Sequence, residues 1–248
     1  MSKPKIVAIY RVKNEARFIE QSIKSVVDLC SEIIILDDNS TDNTIEICSG
    51  FDKVTDIIKQ KDLPLDETRD RNYLFEKARK LDPDFILSID GDEIFMPNAS
   101  EILFEELSTI YPNSSVFEFQ FLTLWDDVNT IRTDGIFGYY WQKRLLRMKN
   151  QPLSVLFVEH DNPGNLHCGS IPPSSVGFDN SAKSSVKIFH LASLDDEVRK
   201  RKYEYYTKTD PDSVLTGAYK HMISGEGRFS GPNGIELEQL PKEFTVNL

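Results

Sequence analysis

The sequence predicts an α/β fold built on a mostly parallel central sheet with helices on both faces. Three observations carry this reading. Over the first hundred residues, short β-branched apolar runs alternate with segments whose apolar residues recur every three or four positions. The runs are nearly continuous, as in strands covered on both faces. Three polar segments, residues 11–15, 37–42 and 90–93, follow such runs directly. Strand–helix alternation implies right-handed βαβ units, and ligands bind beyond the carboxyl ends of such strands. The three polar segments are therefore expected to converge at one sheet edge.

Residues 6–10 form the first predicted strand. Asn14 is placed to cap a helix whose buried stripe is Ala16, Ile19, Ile23, Val26, Val27 and Cys30. Residues 32–36 are the next strand, followed by a short helix over 44–49 and a strand over 54–59. A helix over 68–81 presents Leu74, Ala78 and Leu81 on one face, and 85–89 is a further buried strand. Asn98 with Glu101 three residues later resembles a capping box, starting a helix that turns Ile102, Leu103, Leu107 and Ile110 inward. The second half is more irregular. It predicts strands at 116–124, 141–148 and 186–191 and a charged helix over 194–208. Residues 150–185, with Pro152, Pro163, Pro172 and Pro173, read as a long loop region over the sheet. The tail beyond Asp210 carries Gly225, Gly227, Gly231 and Gly234 and predicts loose packing.

Composition narrows the partners. The 248 residues suit one large domain or two small ones. Lys and Arg number 29 against 40 Asp and Glu, a net charge of −11. That excess argues against a surface built for nucleic acid or anionic lipid. Cys30, Cys48 and Cys168 cannot pair evenly and form no CxxC, which predicts reduced thiols and no structural zinc. The apolar run after Lys5 is too short for a signal peptide, and none approaches the roughly 20 residues that span a bilayer. A soluble cytoplasmic protein is the expectation, so sequons at Asn39, Asn98 and Asn113 carry no weight.

Asp90-Gly91-Asp92-Glu93 is the sharpest chemical signal. Two carboxylates flanking a glycine at a strand end suit Mg²⁺ or Mn²⁺, hard ions that take one or two carboxylates plus substrate phosphates and water. The competing reading is a solvated acidic turn. Residues 37–42 fail as an EF-hand loop, since the central glycine and terminal glutamate are missing. No GxGxxG follows the first strand, and no GxxxxGK[ST] occurs anywhere. A metal-assisted mode of phosphate handling is what remains.

Residues 7–27 with Lys13-Asn14-Glu15, then Leu36-Asp37-Asp38-Asn39-Ser40-Thr41-Asp42, Arg71-Asn72 and Ile89-Asp90-Gly91-Asp92-Glu93, resemble the family 2 glycosyltransferases in order and spacing. The resemblance covers roughly the first 100 residues closely. It implies a GT-A (Rossmann-like) fold with a DxD at a strand end, a nucleotide-diphosphate sugar donor and inversion at the anomeric centre. It further implies that Asp38 contacts the base, usually uracil, that Arg11 and Glu15 lie along the nucleotide, and that Arg71 is near the diphosphate. Asp92 would be the main metal ligand, with Asp90 contacting the sugar or ribose and counted as a second candidate ligand.

A weaker resemblance to a branch of small soluble bacterial and viral members continues through Trp125-Asp126, Arg132-Thr133-Asp134, Arg144-Leu145-Leu146-Arg147, Leu166-His167-Cys168-Gly169 and Phe189-His190-Leu191. It implies that His190 completes the metal site, and a neutral imidazole is also a good Mn²⁺ ligand on chemical grounds. Arg199, Lys202, Tyr203 and Tyr206 share one helical face. Arg199 and Lys202 can clamp the departing diphosphate, or form a solvated basic face pairing with Asp195, Asp196, Glu197 and Glu204. Inverting transfer needs a base for the acceptor hydroxyl. Glu159 is the first candidate and Asp126 the second, because Cys168 stands where family members often carry an acid. His160 and His221 read as incidental.

The expectation is thus a metal-dependent, inverting glycosyltransferase moving a sugar from a UDP-sugar to a hydroxyl of a glycan or related acceptor. Residues 1–208 would form the GT-A domain, with 1–97 as the nucleotide-binding half and 98–208 as the acceptor and metal-completing half. Residues 209–248 would be a helical and loop extension. The rivals are a non-catalytic nucleotide-sugar-binding module and a nucleotidyltransferase. The latter would normally carry a Gly-rich basic loop after the first strand, which residues 10–16 lack. A haloacid dehalogenase-type phosphatase would place its acids at the end of that strand, where Tyr10-Arg11-Val12 stands.

Overall fold

A computed structural model describes residues 3–60, 63–149, 169–171, 180–210, 217, 219–227, 229–246 and 248. Among these residues, eight strands form one mixed sheet in the order β3-β2-β1-β4-β8-β6-β9-β5. Its parallel half comprises β1 (Ile6–Val12), β2 (Glu32–Asp37), β3 (Val54–Lys59) and β4 (Phe85–Asp90). Antiparallel β8 (Trp141–Arg147) joins β4 to β6 (Val116–Thr123), and β9 (Ser181–His190) runs parallel to β6. The three-residue β5 (Glu93–Phe95) closes the far edge against β9.

Alternate residues of β1 enter opposite layers, because successive strand side chains point to opposite faces. Ile6, Ala8, Tyr10 and Val12 pack with Ile19, Ile23 and Val26 of α1 (Ile19–Val26). Val7 and Ile9 pack with Leu74, Phe75 and Ala78 of α3 (Glu67–Arg79). Each fully buried side chain in these two layers contributes roughly 1.5–3 kcal/mol to holding the helices on the sheet. The short α2 (Thr44–Ser49) follows β2, and α4 (Ala99–Glu105) runs on into a π-helical turn at Glu106–Ile110.

The two expected asparagine caps are not formed. Asn14 sits in the left-handed region at φ 54°, and its side-chain oxygen accepts from Thr41 N at 2.7 Å. Its amide is committed to the neighbouring loop, and the helix begins five residues later. Asn98 is also left-handed, at φ 62°, and makes no capping hydrogen bond. Asp195 does cap α5 (Asp196–Thr209), accepting from Val198 N at 2.9 Å.

The strand over 186–191 begins earlier than expected, at Ser181, because Ser184 points inward beside Ala182 and Val186 and hides the period-2 pattern. Buried Glu106 fixes this start, accepting from Ser185 N and Oγ at 2.7 Å each. The remainder of the 150–185 loop region falls outside the described residues, apart from 169–171 and Asn180.

The tail is fastened where loose packing was expected. β10 (Leu237–Gln239) pairs with β7 (Thr130–Arg132). Arg132 is fully buried, lies over Trp125 and Phe137, and donates to Asp134 (2.6 and 2.9 Å), to His221 O (2.9 Å) and to Ser230 Oγ (2.8 Å). Asp134 in turn accepts from Gly231 N and Glu236 N. Gly135 takes φ 54° with Phe229 O only 2.3 Å from where a Cβ would stand, so the tail crosses there against bare backbone. Among the described residues no helix is long and apolar enough to cross a membrane.

Candidate active site

The carboxyl ends of β1, β2 and β4 bring the three polar segments together. The loops after β1 and β2 interlock: Asn14 N donates to Ser40 Oγ (2.9 Å), Glu15 N to Thr44 Oγ1 (2.8 Å) and Ala16 N to Asp42 Oδ2 (3.1 Å). Ser40, Asp42 and Thr44 thereby shape the loop. Asp38, at the end of β2, accepts from Arg11 Nη2 at 2.8 Å, while Arg11 Nε binds Asp70 at 2.9 Å. Lys13 lies 3.4 Å from the same Asp38 oxygen. These groups form a pre-set polar corner at the open end of β1 and β2.

The turn after β4 has little room. A Cβ on Gly91 would stand 2.9 Å from Glu15 Cγ and 3.0 Å from its Cβ. The glycine serves close approach between two loops. Gly91→Ala should therefore displace Glu15, costing about 1–3 kcal/mol and shifting the midpoint of a urea melt; an unchanged midpoint would show that this contact yields freely.

Asp90 lies between two guanidinium groups, with Arg71 Nη2 at 2.9 Å and Arg144 Nη2 at 3.2 Å. Burial would raise its carboxyl, but these cations outweigh burial and hold it well below the usual carboxylate range. Arg71 also donates to Ser88 Oγ at 3.1 Å. Arg144 reaches across from β8 to Glu93 as well. Burial pushes Glu93 up to about 8, an effect that Arg144 offsets only in part.

Asp92 faces two partners from the second half of the chain. His190 Nε2 is 3.8 Å from Asp92 Oδ2, and Lys202 Nζ of α5 donates to that same oxygen. Leu191 N donates to Asp92 O at 2.9 Å, tying the end of β9 to the turn. Burial lowers the His190 imidazole and so favours its neutral, ligating form. The attraction of Asp92 and Glu15 overrides burial at Lys202 and keeps its ammonium charged. Glu15 is pushed up to about 7, mainly by burial, and its buried Oε2 has no hydrogen-bond partner among the described residues. Among the described residues no three His, Cys, Asp or Glu side chains group tightly enough to hold a metal by themselves.

Arg11, Glu15, Arg71, Asp90, Asp92, His190 and Lys202 all line one cavity of about 650 Å³. Asp38 adjoins it through Arg11 and Lys13. Arg199 turns elsewhere: it lies over Trp125 and binds Ser193 O (2.9 Å), Asp126 (2.8 Å) and Asp196. Asp126 is an exposed carboxylate on that arginine, and Glu159 falls outside the described residues.

Some lining was not legible in the sequence. Arg144 and Glu93 belong to separate sequence motifs, and their mutual pairing crosses from β8 to the turn. Tyr140, Phe121 and Phe137 from the middle of the chain, with Tyr219, His221 and Phe229 from the tail, add an aromatic wall. His221, incidental by its sequence context, is one of these lining residues. The clustering of aromatics at 137–141 was an available signal, but the fastening of the tail was not.

Residues 8–158 match glycosyl transferase family 2. An uncharacterized protein of Mycobacterium tuberculosis and its counterpart in Mycobacterium bovis are each 29% identical over 94 residues, covering 36% of this chain and 23% of theirs. The crystal structure of TarS from S. aureus superposes with a TM-score of 0.51 at 17% identity, covering 88% of this chain and 44% of TarS. A glucosyl-3-phosphoglycerate synthase from Mycobacterium tuberculosis, solved with Mn²⁺ and UDP-glucose, gives a TM-score of 0.35 at 18% identity over 48% of this chain and 44% of that one. The chain thus spans less than half the length of these proteins. With the family matched across more than half of its residues and the sheet edge assembled as described, the chain belongs to glycosyl transferase family 2 and has the GT-A fold.

Proposed function

We propose that this chain is a metal-dependent, inverting glycosyltransferase that moves a sugar from a UDP-sugar to a hydroxyl of a glycan or related acceptor. The observation that carries the reading is the meeting of Arg71, Asp90, Asp92 and His190 around one cavity beside the Asp38–Arg11 corner. In this reading Asp38 and Arg11 hold the base and ribose, and Arg71 and Lys202 face the diphosphate. Asp90 orients the sugar or ribose through its fixed place between Arg71 and Arg144. Residues 1–97 supply the nucleotide side and 98–208 the acceptor side. The 209–248 extension contributes Tyr219, His221 and Phe229 to the wall.

The donor set fits a divalent ion of the Mn²⁺ or Mg²⁺ type. Asp92 and a neutral His190 lie within one ion's reach of each other, and Glu15, whose buried Oε2 has no hydrogen-bond partner among the described residues, lines the same cavity. Two protein ligands leave the other positions to diphosphate oxygens and water, the usual arrangement for such ions at phosphates. When bound, the ion would neutralise charge on the departing diphosphate. The acceptor hydroxyl needs a carboxylate base within hydrogen-bond reach. Glu159 is proposed for that role, with Asp126 as the second choice, which would require it to leave Arg199.

Calorimetric titration with UDP should show binding that strengthens when Mn²⁺ is present, and a slow Mn²⁺-dependent hydrolysis of UDP-sugars should follow. Absence of UDP binding with and without metal would sink the reading. Binding without hydrolysis would favour a nucleotide-sugar-binding module, and faster hydrolysis of a GDP- or dTDP-sugar would overturn the choice of donor.

A further inference from the structure

Every acid of the 90–93 turn is already matched by a basic side chain. Asp90 lies between Arg71 and Arg144, Arg144 also binds Glu93, and Asp92 has the ammonium of Lys202. Asp92 and Lys202 are both largely shielded from water, with side chains 6% and 16% exposed. A divalent ion approaching Asp92 Oδ2 therefore meets a cation on the oxygen it needs, in surroundings where like charges repel strongly. Buried Glu15, whose Oε2 has no hydrogen-bond partner among the described residues, also lines that cavity.

We infer that Lys202 is a resident counter-cation that competes with the divalent ion for Asp92, so that the ion binds tightly only together with a diphosphate. The inference rests on the metal-dependent reading above. A diphosphate supplies the negative charge that receives the displaced ammonium, and ion and nucleotide enter as a pair. Only the lysine side chain has to move, because α5 is anchored elsewhere. Asp195 caps it and binds Arg17, while Arg199 holds Ser193 O, Asp126 and the Trp125 ring. A four-carbon stem ending in a compact point charge suits such a swing. Arginine at this position would bind both carboxylate oxygens in a fixed fork and resist it.

The test is Mn²⁺ binding, followed by electron paramagnetic resonance titration of the free metal, with and without UDP. Wild-type protein should bind Mn²⁺ weakly alone and much more tightly with UDP. Lys202→Met, and Lys202→Gln as a second variant with a polar end, should bind Mn²⁺ at least tenfold more tightly than wild type without nucleotide. Both should also lose most of the gain that UDP confers. Asp92→Asn in the Lys202→Met background should abolish the new affinity. Intact UDP binding with Mn²⁺ affinity no higher in either lysine variant overturns this inference alone. Failure of wild type to bind UDP under any condition overturns the donor reading and this inference together.

Discussion

Asp92→Asn should lower turnover by about 10²–10³-fold, the usual loss when one charge-stabilising group is removed from a preorganised site. The melting temperature should stay within a few degrees of wild type. Asn keeps the shape of the side chain and an oxygen that accepts from Lys202, which lines the cavity and has Glu15 as a second acidic neighbour, so the variant does not strand a sealed charge. Steady-state hydrolysis of a UDP-sugar with Mn²⁺, read beside a thermal melt, separates the two effects. A variant that loses stability in proportion to activity would mean that the turn is a structural acid cluster. A variant with full activity would remove Asp92 from the chemistry.

Arg132→Met should have the largest effect on stability, about 3–5 kcal/mol, the cost of leaving a buried charge without its partner. Asp134 would keep its two backbone donors from Gly231 and Glu236 but lose the cation between Trp125 and Phe137. The carbonyl of His221 and the hydroxyl of Ser230 would lose their donor as well. Hydrogen exchange should report faster opening at residues 219–227 and 229–236, with β1 and β4 unchanged. Replacing both partners, Arg132→Met with Asp134→Leu, should recover part of the loss, since an apolar pair leaves no orphaned charge but still takes the acceptor from the Gly231 and Glu236 amides. A single-variant cost below about 1 kcal/mol would mean that the tail is held by β10 pairing and not by this ion pair.

What the sequence revealed follows from what its patterns encode. Buried parallel strands advertise themselves through runs such as Ile33-Ile34-Ile35, and a turn such as 90–93 shows its acids directly. The GT-A fold and the convergence of three polar segments were therefore legible. Side-chain partnerships across distant elements were not. The amide of Asn14 is drawn to Thr41, and Arg199 faces Trp125 and Asp126 instead of the cavity. Both outcomes depend on neighbours brought close only by tertiary folding. Tail glycines suggested looseness because composition registers backbone freedom, while the single ion pair that cancels this freedom is two residues in a long chain. Short strands such as β5, β7 and β10 have too few residues to show a period at all.

The position of His190 has a consequence for how such a chain can change over generations. It stands opposite Thr123 on one side and Glu93 on the other, fixed by the pairing of β9 with β6 and β5. Because side chains alternate along a strand, a shift of one residue would carry it to the wrong face and bring Phe189 in its place. Strand pairing, and not the length of the stretch between Arg147 and Ser181, thus sets where the imidazole lies. Insertions and deletions in that stretch leave the address of the histidine untouched. Lineages descending from this chain can vary the length of that stretch and still inherit the imidazole's place beside Glu93 and Thr123.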